Sequence, residues 1–111
     1  MIQGKVNIKQ LTDKIEKQHE NFLLASTNDH CVRVAVFEGV YGWHSHPNSD
    51  ESFLVLEGEL IIDIEGEDEP VVLKPNDFYS IYAGTVHRTR STCRTVNLCF
   101  EKEEAETVFM K

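Results

Sequence analysis

The sequence has no cluster of lysine and arginine: its 11 basic residues are scattered against 19 acidic ones, and the formal net charge is −8. Proteins that grip nucleic acid do so largely by neutralising phosphates with grouped cations. This balance therefore argues against nucleic acid and, by the same reasoning, against anionic membranes. Long hydrophobic runs are missing too. The stretch Phe53-Leu54-Val55-Leu56 is among the longest, far below the roughly 20 residues of a membrane-spanning helix. Residues 1–5 lack the apolar segment of a secretory signal. Cysteine is scarce: three residues, an odd number at irregular spacing, do not make a disulfide framework. There is no Pro/Gly/Ser-rich linker, low-complexity tract or internal repeat. A cytoplasmic, reduced protein is expected, with neither nucleic acid nor membrane as partner.

What remains is an ordinary globular composition, 41% hydrophobic and 27% charged. A chain of 111 residues suffices for one core and not two, so residues 1–111 are expected to form one domain. Most of it reads as short strands. Val32, Val34 and Val36 share one face of an alternating run, and Leu60, Ile62 and Ile64 alternate with Ile61 and Asp63. A period of two marks a strand with one face on a core. Further β-like runs cover 71–73, 78–82, 86–90 and 95–100. Turn-forming pairs such as Asn28-Asp29, Pro47-Asn48, Pro75-Asn76 and Ala83-Gly84 break up the series. Residues 9–19 are the exception: Leu11 and Ile15 stand four apart among polar residues, as in a short amphipathic helix. The expected fold is all-β, a single antiparallel β-barrel of about seven or more strands with an N-terminal helix or arm in residues 1–20. Acidic residues concentrate at 57–69 and 101–106, where solvated edges account for them.

His44 and His46 are separated by one residue, so an extended backbone turns both imidazoles to one side. An isolated pair of this kind is ordinarily satisfied by water and backbone. Here Glu51 opens the next apolar run, and His87 follows Ala83-Gly84 in a separate strand. Two hairpins facing each other inside a barrel would gather three imidazoles and a carboxylate. Those donors suit one divalent transition-metal ion, Fe, Mn, Ni, Zn, Cu or Co. Four such ligands leave about two positions of an octahedral ion open.

The offsets resemble those of the cupin superfamily. Its first motif runs Gly, five residues, His-x-His, three or four residues, Glu, six residues, Gly. His44, His46, Glu51 and Gly58 keep that spacing, while Gly39 lies one place late and Glu38 holds the expected position. The second motif runs Gly-Asp, four residues, Pro-x-Gly, two residues, His, three residues, Asn. Asn76-Asp77, Tyr82-Ala83-Gly84 and His87 keep its spacing, with Asn76, Tyr82 and Ser91 in place of glycine, proline and asparagine. Asparagine tolerates a left-handed backbone, so Asn76 suits a turn position. The resemblance covers roughly residues 32–100 and is closest to the small single-domain cupins labelled sugar-isomerase-like. It implies a double-stranded β-helix, or jelly roll, with His44, His46, Glu51 and His87 as metal ligands, and it agrees with a homodimer.

Period-two reasoning puts Glu51, Phe53 and Val55 on the interior face, with His87 and Thr89. Leu54 and Leu56 then face outward, where the N-terminal arm or a second subunit must cover them. Trp43, Tyr79 and Tyr82 lie near the motif segments, either lining the pocket mouth or packing in the barrel. Arg88 and Arg90 are expected on a solvated or dimer-facing side, and Cys99 on the face that approaches the pocket. Cys31 and Cys93 read as small buried residues, His19 and His30 as surface histidines. The leading functional expectation is a metal-dependent enzyme acting on a small molecule by dioxygenase, isomerase or lyase chemistry. The alternative is a non-catalytic small-molecule or metal-binding module. A metal-free sugar-nucleotide isomerase ranks last, because all four ligands are retained. The fold itself does not choose among chemistries.

Overall fold

The computed structural model describes residues 4–111. One short helix, α1 (Ile8–Thr12), precedes eight strands: β1 (His19–Thr27), β2 (His30–Ser45), β3 (Glu51–Glu57), β4 (Leu60–Ile64), β5 (Val71–Leu73), β6 (Phe78–Ile81), β7 (His87–Lys102) and β8 (Val108–Phe109). Every pairing is antiparallel.

The two longest strands, β2 and β7, have 16 residues each and run side by side. Each passes through both halves of the fold. In the first half, β2 lies between β1 and the later part of β7, and β3 and then β6 extend the row. In the second half, β8 flanks the end of β2, while β4 and then β5 flank the start of β7. The hand-over is a bulge: Phe37 pairs with Thr95 but Gly39 pairs with Ser91, so β7 carries the extra residues. Gly39 has φ 125, a conformation that favours glycine. The Ser91 hydroxyl lies 2.6 Å from both Cys93 O and Thr95 Oγ1, and so fastens the bulge. Each long strand looks shorter in sequence, because a bulge interrupts the period-two alternation without ending the strand.

The two halves close on a core of Phe37, Phe53, Val55, Leu60, Ile62, Leu73, Ile81 and Cys99. The sheet does not join into a ring, so the barrel is a flattened jelly roll with open edges. A second apolar layer lies outside the first half. There Val34, Val36, Val96 and Leu98 are covered by Ile8, Ile15, Phe22 and Leu24, with Val32, Leu54 and Phe100 at its margin. The valines of β2 thus face the N-terminal arm. Their neighbours Arg33, Ala35 and Phe37 point into the space between the sheets.

Within the arm, Asn7 caps α1 by accepting from Gln10 N at 2.9 Å, and an Arg94 terminal nitrogen ties the arm down by donating to Thr12 O at 2.6 Å. The helix is shorter than residues 9–19, and His19 opens β1 instead of closing the helix. Leu54 is covered, but Leu56 and Phe78 remain 37% and 58% exposed.

Candidate metal centre

His44 lies near the end of β2, opposite His87 at the start of β7; His46 follows β2, and Glu51 begins β3. Three strand ends therefore bring four side chains together at one end of the jelly roll. The ligand atoms of the four residues lie within 4.8 Å of one another, and all four side chains are buried.

Each imidazole is oriented through its Nδ1. His44 Nδ1 lies 2.7 Å from Gly42 O, His46 Nδ1 2.9 Å from Glu106 O, and His87 Nδ1 2.9 Å from Thr85 O. A carbonyl oxygen only accepts, so each Nδ1 carries the proton and donates. Nε2 is then left to face the cluster with its lone pair. His46 Nε2, His87 Nε2 and Glu51 Oε1 are buried without a hydrogen-bond partner. Glu51 Oε1 lies 3.2 Å from His46 Nε2 and 3.3 Å from His87 Nε2, close enough to attract but not aligned as hydrogen bonds.

The electrostatics follow from that proximity. Burial pushes the Glu51 carboxyl up, but His46 and His87 outweigh it and hold the group at about 2. The Glu51 carboxylate in turn draws His46 up to about 8 against its own burial. Burial pushes His44 down. Unpartnered nitrogen lone pairs beside an ionised carboxylate, each imidazole held from behind by a carbonyl, fit a divalent cation.

The His46 carbonyl partner was not legible in the sequence. Glu106 is 60 residues away, in a C-terminal segment that Asn48 clamps by accepting from Glu106 N and donating to Glu104 O. A cavity of about 390 Å³ lies against the cluster, touching His44, His46 and Glu51, with His87 behind them. Phe37, Tyr41, Phe53 and Cys99 are among its apolar walls; Arg33 and Glu101 are among its polar ones. Tyr41 packs edge-on against His44 at 4.9 Å between ring centroids. Neither Phe37 nor Tyr41 is singled out by the sequence as a wall residue; for Tyr41 the register shift before His44 hides its inward turn.

The other candidates are distributed differently. Tyr79 and Tyr82 border a separate depression, and Trp43 lies under the Arg88 guanidinium at 4.8 Å. Arg88 and Arg90 both hold Asp63, away from the cavity. Cys99 does line the cavity and Cys31 is buried, but Cys93 is exposed, since it sits on the bulge of β7. His30 is a surface residue beside Asp29; His19 is exposed at the cavity edge against Phe37 and Tyr41.

A family model described as "Cupin domain" matches residues 31–98. A Bacillus subtilis protein named "Uncharacterized protein YdbB" is 54% identical over 105 residues, spanning 95% of this chain and 92% of its own. Among solved structures, a cupin-2 domain protein of Shewanella frigidimarina superposes with a TM-score of 0.81 at 24% identity, covering 88% of this chain and 94% of that one. The DMSP lyase DddQ of Ruegeria pomeroyi gives 0.72 at 24% identity, over 84% of this chain and 52% of that one.

Proposed function

The chain belongs to the cupin-domain family, and we propose that it is an enzyme whose His44, His46, Glu51 and His87 hold one divalent transition-metal ion. The observation that carries this reading is the set of buried, partnerless ligand atoms aimed at one another while each Nδ1 is anchored to a carbonyl. Leaving such groups unpaired costs about 1–3 kcal/mol each, and more when charged. A cation satisfies all of them at once. When bound, a divalent ion supplies Lewis acidity and, if redox-active, electron transfer.

The protein's own contribution is to position and to exclude. Carbonyls behind the imidazoles fix the tautomer, and Phe37, Tyr41 and Phe53 keep the adjoining cavity apolar next to the cluster. A cavity beside the ligands supports substrate access and favours an enzyme over a purely structural metal site. Dioxygenation, isomerisation and lyase chemistry stay the candidate reactions, and DddQ, which shares the fold, is named a lyase.

The test is elemental analysis of the purified protein, followed by turnover against diketones, sugars, thiols, phenols and organic acids with and without added Fe(II), Mn(II), Ni(II) or Zn(II). About one ion per chain and a metal-dependent product support the reading. A chain that takes up no first-row divalent ion refutes it.

A further inference from the structure

Arg33 is the cation of the cavity wall, and its guanidinium is only partly engaged. Its Nε donates to Asn21 Oδ1 on the neighbouring strand at 2.7 Å, which orients the fork. Among the described residues its terminal nitrogens meet no carboxylate at ion-pair distance. A guanidinium held this way presents a planar pair of donors suited to a carboxylate or phosphate.

The register places Arg33 relative to the ligand cluster. In β2 and β7, Cys31 pairs with Glu101 and Arg33 with Cys99, so Glu101 is the diagonal neighbour of Arg33. In β3 and β7, Ser52 pairs with Phe100, so the next step sets Glu51 abreast of Glu101. With strands about 4.8 Å apart and about 3.4 Å per residue, the backbones of Glu51 and Arg33 are about 12 Å apart. Both side chains line the same cavity, so one small molecule can lie between them.

Glu101, between them, has its Oε2 buried without a partner. A phosphate dianion would meet Glu51 and Glu101 together; a single carboxylate meets less repulsion. The volume of about 390 Å³ corresponds to about a dozen non-hydrogen atoms, at about 30 Å³ per water-sized group.

We propose that the substrate is a small organic acid: its carboxylate pairs with the Arg33 guanidinium, while an oxygen-bearing group at its other end faces His44, His46, Glu51 and His87. The second half of this statement rests on the metal-centre reading; the first half does not.

The test uses ligands with one chelating end and different distal groups: catechol, protocatechuate (a carboxylate), the corresponding phosphonate, and dopamine (an ammonium). Each is titrated anaerobically into zinc-loaded protein by calorimetry. Protocatechuate should bind about tenfold or more tighter than catechol, as expected for a charge-assisted hydrogen-bond pair, and dopamine weakest. Arg33→Met should keep its zinc and lose the preference for the carboxylate; Arg33→Gln replaces it if that variant does not fold. Equal affinities in the wild type, a preference that survives both substitutions, or tighter binding of the phosphonate overturns the proposal. A wild type that takes up no zinc refutes the metal reading instead. The Arg33 subsite is then read on the metal-free chain with benzoate against benzyl alcohol, where an Arg33-dependent preference for benzoate supports it and no preference overturns it.

Discussion

Gly58→Ala probes the turn that carries the chain from β3, which begins with Glu51, into the other half of the jelly roll. Gly58 has φ +82, and a Cβ built there would lie 2.4 Å from Arg94 O, 2.6 Å from Thr95 Oγ1 and 2.9 Å from Thr95 Cα. Two of those atoms are backbone of β7, which is paired on both sides. The third, Thr95 Oγ1, already accepts from Glu59 N at 3.1 Å and meets Ser91 Oγ at 2.6 Å. Nothing in contact is the free end of a flexible side chain. The left-handed conformation costs alanine about 1–2 kcal/mol, and forced overpacking about 1–3 kcal/mol more. The total, about 2–5 kcal/mol, is a large part of the roughly 5–15 kcal/mol that hold a domain together. At about 4 °C per kcal/mol for a chain of this size, the midpoint should fall by about 8–20 °C.

Gly66→Ala is the internal control, with φ +89 and nothing within 4 Å of the added Cβ. It carries the conformational cost alone and should lose about 4–8 °C. Thermal unfolding followed by circular dichroism in the presence of chelator reads both variants without interference from bound metal. If Gly58→Ala unfolds within about 2 °C of Gly66→Ala, the clash argument is wrong and β7 yields more easily than its hydrogen bonds imply.

His44→Ala/His87→Ala should abolish retention of a single zinc ion per chain, whereas His30→Ala, on the surface, should leave zinc content unchanged; dialysis and elemental analysis decide. Zinc at about 100 times its Kd should stabilise the wild type by about 2.7 kcal/mol, and the double variant should show no such shift. Hydrogen bonding to Arg90, then Arg88, holds the Asp63 carboxyl below its ordinary 3.8. Its stabilisation is therefore present above that value and lost as pH falls through the lower folded value. Asp63→Asn should lower the melting temperature at pH 7, less so in high salt, and the gap to wild type should close in acid. Glu101 is shifted the other way, upward from 4.5, so its ionisation opposes folding above the raised value. Glu101→Gln should then melt higher than wild type near pH 8, with the advantage fading as pH approaches about 4.5. We also expect a homodimer formed through the outer face bearing Leu56, Phe78 and Phe100. Light scattering that gives one chain mass at micromolar concentration counts against it, and the Phe78→Glu variant should shift toward that mass.

What the sequence determined by itself was whatever depends on local spacing. Alternation marked the strands, because a pleated backbone sends successive side chains to opposite faces whatever the surroundings. The His-x-His pair, Glu51 and His87 were singled out because their offsets resemble the cupin motifs, and the fold brings the four side chains together. Asn76 was expected to accept a left-handed turn, and it has φ 77. Alternation does not say which face is inside. Val32, Val34 and Val36 looked like core and do pack, but beneath the N-terminal arm, so Arg33 rather than a valine reaches the cavity. Only long-range packing decided that, since either face of β2 carries enough apolar surface to be buried. Tertiary structure likewise merged separate β-like runs into two bent strands, brought the Glu106 carbonyl behind His46, and set Glu101 between Glu51 and Arg33. These relations join residues dozens of positions apart. Their cause is the pairing register of β2, β3 and β7, which no window of sequence contains.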